Sequence, residues 1–426
     1  MKICIFEDTA VSNLYPVNYL RHTSELISGI YPLHIKTHFL LRNNFEIVYH
    51  ARNYLQAYLK TQNNGLKINT FEPDEYVFLN ARVIFTQDFI EGFFLALDDI
   101  KNSALIYNNT VIAFHVTKEK LALLSKKINP KENNLISVKE IKSINLQMIR
   151  AEQLDQELSE ELIFINYPHD LLNHHEQEMK KDMSFLFKKI RKKQNTHTKA
   201  ELINPKNIYI SPDANISNHA VLNASKGPIF ISEGCTIEPF SYIEGPVFIG
   251  ENSTVKASSR IYGPVRIGEW CKTAGEISSS ILHSYVNKQH HGFIGNTYLC
   301  EWVNLGAGTT TSNLKNNYSE IVVDINGKQI KTGSIFLGSI IGDYTKTGIN
   351  TMLNTGTITG ISCNLYGSGY HPKKIKSFTW SDAGKEMFPY ELTKAIRTAG
   401  ISMKRRNVTM NKEFEKLFEY LYKSSR

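Results

Sequence analysis

The residues best suited to chemistry lie close together. Lys288-Gln289-His290-His291-Gly292-Phe293-Ile294-Gly295 is followed by Asn304-Leu305-Gly306-Ala307-Gly308-Thr309-Thr310 and then Ser312-Asn313. A neutral imidazole at His290 can take the proton that an amine sheds as it attacks an acyl carbon. Gly306, Ala307 and Gly308 let a ligand approach the backbone closely, and Asn304 and Asn313 offer both donors and acceptors. The same residues also suit a plain surface turn, with solvated histidines and corner glycines. The His290-His291 pair raises a metal site as well. Zinc needs three or four convergent ligands, however, and no third is apparent; His283 is the nearest in sequence.

These residues sit within a periodic stretch. Ile231, Ile237, Ile243, Ile249, Val255, Ile261 and Ile267 recur every six residues, with Ile210, Ile216 and Leu222 preceding them on the same period. Gly-Pro-[Ile/Val]-x-Ile returns at Gly227, Gly245 and Gly263, once in every three hexapeptides. Six residues per side and three sides per turn describe a triangular coil with stacked inward aliphatics. This is the hexapeptide signature of a left-handed parallel β-helix. The period weakens over Thr273–Gln289 and resumes at Leu299 and Leu305, then at Ile335, Ile341, Thr347, Leu353, Thr359 and Leu365. Polar, off-register Asn313–Thr332 reads as an excursion from the coil, a usual place for function. Beyond Tyr370-His371-Pro372, Tyr390–Met403 and Lys412–Tyr422 read as helices able to cap the open end.

Residues 1–165 alternate short strand-like and helix-like runs, which implies an α/β domain with a mostly parallel sheet. Ile3–Phe6, Tyr76–Leu79, Val83–Phe85 and Leu162–Tyr167 read as strands; Leu33–Leu41 and Asp88–Leu97 read as helical. Leu172, Met179, Met183, Leu186 and Ile190 mark one further helix, and the polar stretch Gln194–Ala200 marks a boundary. The expected domains are therefore 1–195, 205–370 and a helical tail at 385–426.

With 426 residues, 42% hydrophobic and 21% charged, the chain has a globular composition and needs more than one core. No apolar run is long enough to span a membrane, and no secretory signal is expected. Five scattered cysteines without CxxC spacing read as reduced thiols in a cytoplasmic protein. The net charge of +8 gathers at Lys188–Lys193 and Lys404–Arg406. Such runs are solvated helix ends or attract phosphorylated small molecules; no groove-reading helix, zinc finger or aromatic RNA-binding strand supports nucleic acid.

The stretch from Lys288 to Asn313 resembles the acetyltransferase core of the bifunctional UDP-N-acetylglucosamine diphosphorylase/glucosamine-1-phosphate N-acetyltransferase family. The shared pattern is a histidine five residues before a glycine, an Asn-Leu-Gly-Ala-Gly-Thr run and a later asparagine. Gly338-Ser339 and Lys346-Thr347-Gly348-Ile349-Asn350 are similar too. The resemblance implies a homotrimer whose active sites are shared between neighbouring β-helices, with acetyl-CoA as co-substrate. His290 would be the general base. Asn304 and Asn313 would hold the sugar phosphate, with Lys288, His291 and Phe293 beside them, and Ala307 and Ser339 would lie along acetyl-CoA. Phe293 stands where the family has a phosphate-contacting tyrosine, which puts the acceptor in question.

The N-terminal half resembles the alternate bacterial branch of the same family at Phe6-Glu7-Asp8, Leu14-Tyr15-Pro16-Val17-Asn18-Tyr19-Leu20-Arg21, Asn80-Ala81-Arg82 and Tyr167-Pro168-His169-Asp170. It implies a Rossmann-like nucleotidyltransferase domain in which Arg21, Asn80 and Arg82 touch a nucleotide and Asp8 and Asp170 hold Mg2+. Ordinary sugar nucleotidyltransferases open with a Gly-x-Gly-Thr-Arg loop whose amides cradle phosphate. Here no glycine precedes Gly29. That absence motivates a reading as a non-catalytic trimer that binds a sugar nucleotide, and the Phe293 departure permits a nucleotidyltransferase of different specificity, such as one using dTTP; a β-helical carbonic anhydrase is a more remote reading.

Overall fold

The structure, a computed structural model, describes residues 1–42, 44–62, 65–128, 134–151, 162–189 and 198–425. Ile190, the basic run beyond Lys189 and most of the Gln194–Ala200 boundary lie outside them. The chain divides into two compact units. One comprises Met1–Leu14, Leu20–Leu26 and Tyr31–Tyr167; the other comprises Tyr15–Tyr19, Ile27–Ile30 and Pro168–Arg426.

The first unit is an α/β fold around one mixed sheet. Its strands are β1 (Lys2–Phe6), β2 (Ile47–His50), β3 (Lys67–Ile68), β4 (Tyr76–Asn80), β5 (Val83–Ile84), β6 (Ser103–Tyr107), β7 (Thr110–Val116), β8 (Gln147–Arg150) and β9 (Ile163–Phe164). The sheet order is β3-β2-β1-β4-β7-β6-β8, with β5 and β9 forming a separate pair. β3, β2, β1 and β4 run parallel, and β7 is antiparallel to both β4 and β6. β1 and β4 are buried on both faces, which is why they read as unbroken apolar runs. The helix Gln87–Leu95 begins where Thr86 caps it, accepting from the Phe89 amide at 3.1 Å. Phe6, His50 and Asn80 stand in register at the carboxyl ends of β1, β2 and β4. The strand order reverses there, between β1 and β4, and ligands of open α/β sheets bind at such a crevice.

The second unit carries the parallel β-helix that the hexapeptide period predicts. Its first face stacks Glu201–Ile203, Val221–Asn223, Tyr242–Glu244, Arg260–Tyr262, Glu276–Ser278 and Phe293–Gly295. The second face runs from Ile208–Ile210 to Lys374–Ile375, and the third from Asn215–Ile216 through Asn287–Lys288 to Asn364–Tyr366. The inward column of the third face is Ile216, Ile237, Val255, Thr273, Lys288, Leu305, Thr347 and Leu365. The outward column beside it is Asn215, Thr236, Thr254, Lys272, Asn287, Asn304, Lys346 and Asn364. The Gly-Pro corners need their glycines, since a Cβ on Gly245 would lie 2.1 Å from the Gly227 carbonyl oxygen of the coil before. The weak period over Thr273–Gln289 has a simple cause. The coil shortens there: the step from Lys272 to its partner Asn287 is three positions shorter than the step from Thr254 to Lys272.

Two side-chain columns run beside the third face. Immediately before its strands, a small donor reaches the carbonyl of the next coil: Cys235 to Gly250 (3.1 Å), Ser253 to Gly268 (2.7 Å), Cys271 to His283 (3.0 Å), Thr345 to Gly360 (2.9 Å) and Cys363 to Lys376 (3.1 Å). One residue earlier, Trp270, Tyr285, Trp302, Tyr344 and Phe378 all adopt positive φ. Tyr285 stacks on Trp302 at 4.1 Å.

The excursion is a hairpin, Val322–Ile325 with Lys328–Lys331, turned by Asn326-Gly327 with both φ values positive. It extends past Thr332: Ile335, expected inside the coil, is 41% exposed, and the coil resumes at Ser339–Ile341. The tail also departs from expectation. Helices Leu392–Lys404 and Lys412–Ser424 form, but the second lays Phe414 and Phe418 against Tyr344 and Phe378 along the aromatic corner. The last coil is closed instead by an antiparallel strand, Met387–Pro389, on Thr379–Asp382.

Candidate active site

The His290 corner joins the third face to the first. His290 and His291 are exposed, and among the described residues neither imidazole has a hydrogen-bond partner. The backbone holds the corner. Gly308 N–H donates to the His291 carbonyl at 3.0 Å, and Gly292 sits at φ +121° where a Cβ would strike the Thr309 oxygen at 2.2 Å. Lys288 is buried in the coil interior, with Nζ donating to the Ala274 carbonyl at 2.9 Å and the His290 carbonyl at 2.8 Å. Burial pulls this ammonium down to about 8. The expectation that Lys288 contacts substrate is therefore corrected: it takes an inward position that aliphatic or threonine residues fill elsewhere, and both its contacts are backbone.

The outward side of the third face carries a polar ladder next to this corner. Asn287 Nδ2 donates to Asn304 Oδ1 at 2.6 Å. A cavity of about 330 Å³ opens over them, and its lining includes Gln289, Lys272, Lys346, Arg405, Arg406, Tyr285 and Trp302. Four lining side chains are cationic and none is a carboxylate. Burial pulls the Lys346 ammonium down to about 8. Arg405 and Arg406 follow the helix Leu392–Lys404, so the tail's basic run faces this ladder. Sequence reasoning noticed that run but did not connect it to the coil, and it missed Lys272 and Asn287.

The remaining expected contacts divide. Asn313 donates to Asn296 Oδ1 at 2.8 Å, and the Phe293 ring folds over Gly295 beside it, where a Cβ would lie 2.5 Å from Phe293 Cζ. Asn304 belongs to the third face and Asn313 follows Thr310–Thr311 of the first, and each amide pairs with a different asparagine, Asn287 and Asn296. Ala307 is half-buried one coil beyond His290 on the same corner. Ser339 is fully buried and inward, with its amide donating to Thr297 Oγ1 at 3.2 Å. Its hydroxyl lies inside the coil.

In the first unit, three expected residues meet at the carboxyl edge of the sheet. Arg82 Nε donates to both Asp8 oxygens, at 3.0 and 2.8 Å, and Asn80 Nδ2 donates to Asp8 Oδ2 at 3.0 Å. Arg82 also reaches Asn166 and Thr110. Beside them Glu7, fully buried, accepts from Arg52 Nε (3.0 Å) and Nη2 (3.0 Å), and from Thr23 N (2.9 Å) and Oγ1 (2.7 Å). Burial alone would raise the Glu7 carboxyl, but Arg52 and His22 outweigh it and hold it at about 2. Arg21 is buried, and its carbonyl accepts from Arg52 Nη2 at 2.8 Å. The long segment after β1, which lacks a phosphate-cradling glycine loop, is thus pinned by Glu7. Arg52 was not anticipated, because nothing local in the sequence links it to Glu7.

The two carboxylates expected to hold Mg2+ each have a partner within the protein. Asp8 gives both oxygens to Arg82, and Asp170, in the other unit, lies 3.6 Å from His169 Nε2. Among the described residues no group of three His, Cys, Asp or Glu side chains could hold a metal ion. Likewise no helix among them is long and apolar enough to cross a membrane.

Comparison with known proteins adds the chemistry of relatives. Residues 3–191 match the family model described as sugar nucleotidyl transferase. A bifunctional sugar-1-phosphate nucleotidylyltransferase/acetyltransferase of Sulfurisphaera tokodaii is 33% identical over 91 residues, 21% of this chain and 23% of that protein. The bifunctional protein GlmU of Methanocaldococcus jannaschii is 29% identical over 107 residues, 25% of this chain and 26% of that protein. The matches thus span about a quarter of these relatives' length. Among solved structures, a putative acetyltransferase of Bacillus cereus aligns at 14% identity and a TM-score of 0.25, covering 53% of this chain and 98% of its own. A score that low carries no argument about this chain.

Proposed function

We propose that this chain, with a sugar nucleotidyl transferase domain in its first half and a hexapeptide β-helix in its second, is a bifunctional transferase of sugar-nucleotide synthesis. In this reading the β-helix moves acetyl from acetyl-CoA to the amine of glucosamine-1-phosphate. The N-terminal unit then joins the product to UTP, giving UDP-N-acetylglucosamine and pyrophosphate.

The observation that carries the acyl-transfer reading is the cavity lined by Gln289, the residue before His290, with four cations and no carboxylate. Such a lining favours a phosphorylated ligand and disfavours a neutral one. The adjacent imidazole takes a proton from the nitrogen of the attacking amine as the C–N bond forms; the C–S bond breaks, and the imidazolium returns the proton to the departing sulfur, so that coenzyme A leaves as thiol. In this reading the chain is a trimer whose sites are shared between copies. The His290 ring has no partner among the described residues, and Asn304 and Asn313 occupy different faces. The exposed apolar side chains of Ile349, Met352 and Tyr370 offer a surface for a second copy.

The test is release of free thiol from acetyl-CoA in the presence of glucosamine-1-phosphate. Release that needs both substrates and vanishes in His290→Ala supports the reading; retention of activity by that variant removes His290 as the base. A second reading draws on the first unit, where Asp8 occupies Arg82, Glu7 occupies Arg52 and the phosphate loop is missing. There the unit binds a sugar nucleotide without turning it over. Pyrophosphate release across UTP, dTTP and several sugar-1-phosphates, with Mg2+ present, separates the two.

A further inference from the structure

Lys288 is a lysine in a column of mainly apolar side chains. Ile216, Ile237 and Val255 precede it on the inward side of the third face, Thr273 stands one coil before, and Leu305 stands one coil after. Aliphatic or threonine side chains fill that position in the other coils, with no charge to bury. An ammonium is disfavoured there unless its donors are matched. The acceptors it finds are specific: the carbonyl of Ala274, one coil back, and the carbonyl of His290, two residues on.

Backbone bonds hold the residues on either side of His290: Ala274 N–H donates to the Lys288 carbonyl at 2.7 Å and Glu276 N–H to the Gly292 carbonyl at 3.1 Å. The coil is shortened just before this corner, from Lys272 to Asn287. Gly292, directly after the histidine pair, has φ +121°, which an L side chain rarely adopts. The neighbouring carbonyl, that of His291, is held from the next coil by Gly308 N–H. The peptide of His290 is held from inside, by Lys288. With the ring unpartnered among the described residues, the direction of the imidazole depends on how firmly that peptide is fixed.

We propose that Lys288 is a positioning residue for acyl transfer: its buried ammonium ties the His290 peptide to the preceding coil and so aims the imidazole that takes the proton. The inference rests on the reading of His290 as the base. It explains why a cation occupies a position where leucine or isoleucine would pack well. It also assigns Lys288 a role without substrate contact, unlike Lys272 and Lys346 on the outward side of the same strands.

The experiment compares wild type, Lys288→Met, Lys288→Leu and His290→Ala in thiol release from acetyl-CoA with glucosamine-1-phosphate, together with thermal melting of each. Leucine is what Leu305 presents in the same column, so it serves if methionine packs poorly. The expected result is a kcat lower by about 10- to 100-fold in both Lys288 variants, the size of effect that a misplaced catalytic group produces. Both KM values should stay within about threefold, and the melting temperature should not fall. A kcat within about threefold of wild type in a folded variant overturns the proposal. So does a loss that comes with raised KM and a lowered melting temperature, since that marks a merely structural lysine. If His290→Ala remains active, the underlying reading fails instead; if it is inactive while the Lys288 variants are active, this inference alone fails.

Discussion

Removing the Lys288 ammonium should change how stability depends on pH, and the size of the change follows from its burial. Its pKa is about 8 in the fold against 10.5 for an exposed lysine. Between those values the unfolded chain binds a proton that the folded chain does not, so unfolding becomes less favourable as pH rises. A gap of about 2.5 at about 1.4 kcal/mol per pH unit gives roughly 3 kcal/mol. At pH 7 wild type therefore carries this penalty, and by about pH 10.5 most of it is gone. Lys288→Met has no such group. The difference in unfolding free energy, wild type minus variant, should rise by about 3 kcal/mol from pH 7 to pH 10.5, nearly all of it above pH 8. Taking the difference cancels the titration of tyrosines and other lysines. Urea unfolding followed by tryptophan emission is the assay, because Trp270, Trp302 and Trp380 all belong to the second unit. A difference that stays flat across that range would show that the ammonium is solvated, and the account of the corner would fall with it.

Two further outcomes are expected. Replacing Arg405 and Arg406 together by alanine should leave folding intact, since both lie at the surface end of the helix Leu392–Lys404. The KM for the phosphorylated ligand should rise about tenfold or more, the loss of one charge-assisted hydrogen bond being worth about 1.5–3 kcal/mol; steady-state kinetics at several salt concentrations reads this, and an unchanged KM removes the tail from the site. Glu7→Gln should destabilise the first unit by about 3–5 kcal/mol, because Arg52 is left as an uncompensated buried charge. The folded carboxyl is held at about 2 against 4.5. Its contribution is therefore present above pH 4.5 and is lost as pH falls toward 2, and far-UV circular dichroism should show wild type and variant converging over that window.

The β-helix was legible because one aliphatic column repeats at a fixed step, from Ile231 to Ile267. The inward placement of Lys288 was not. Counting by six from Thr273 leads to His291, and only the loss of three residues from the coil brings Lys288 beneath Leu305. The resemblance brought His290 and Asn304 to the same neighbourhood, but it gave no sign that the Ser339 side chain turns inward on the second face. In the first unit the meeting of Asp8, Asn80 and Arg82 follows from the adjacency of β1 and β4, which no local pattern announces. Arg52 carries no sequence signal at all, because its role is fixed by a carboxylate 45 positions away.

The column of small donors beside the third face also bears on how this protein can be handled. Cys235, Cys271 and Cys363 occupy the register that Ser253 and Thr345 occupy in neighbouring coils, and a serine hydroxyl can make the same bond to the next carbonyl. Replacing these thiols by serine is thus a conservative change. All five cysteines are buried, with Cys4 and Cys300 completing the set. Burial pushes the thiols of Cys271 and Cys363 up to about 12, far from the thiolate form that reacts with disulfide reagents. The folded protein is therefore nearly silent to a chromogenic thiol reagent, and colour in the acyl-transfer assay comes from coenzyme A. A single cysteine introduced at the hairpin tip, Asn326-Gly327, would be a lone accessible label.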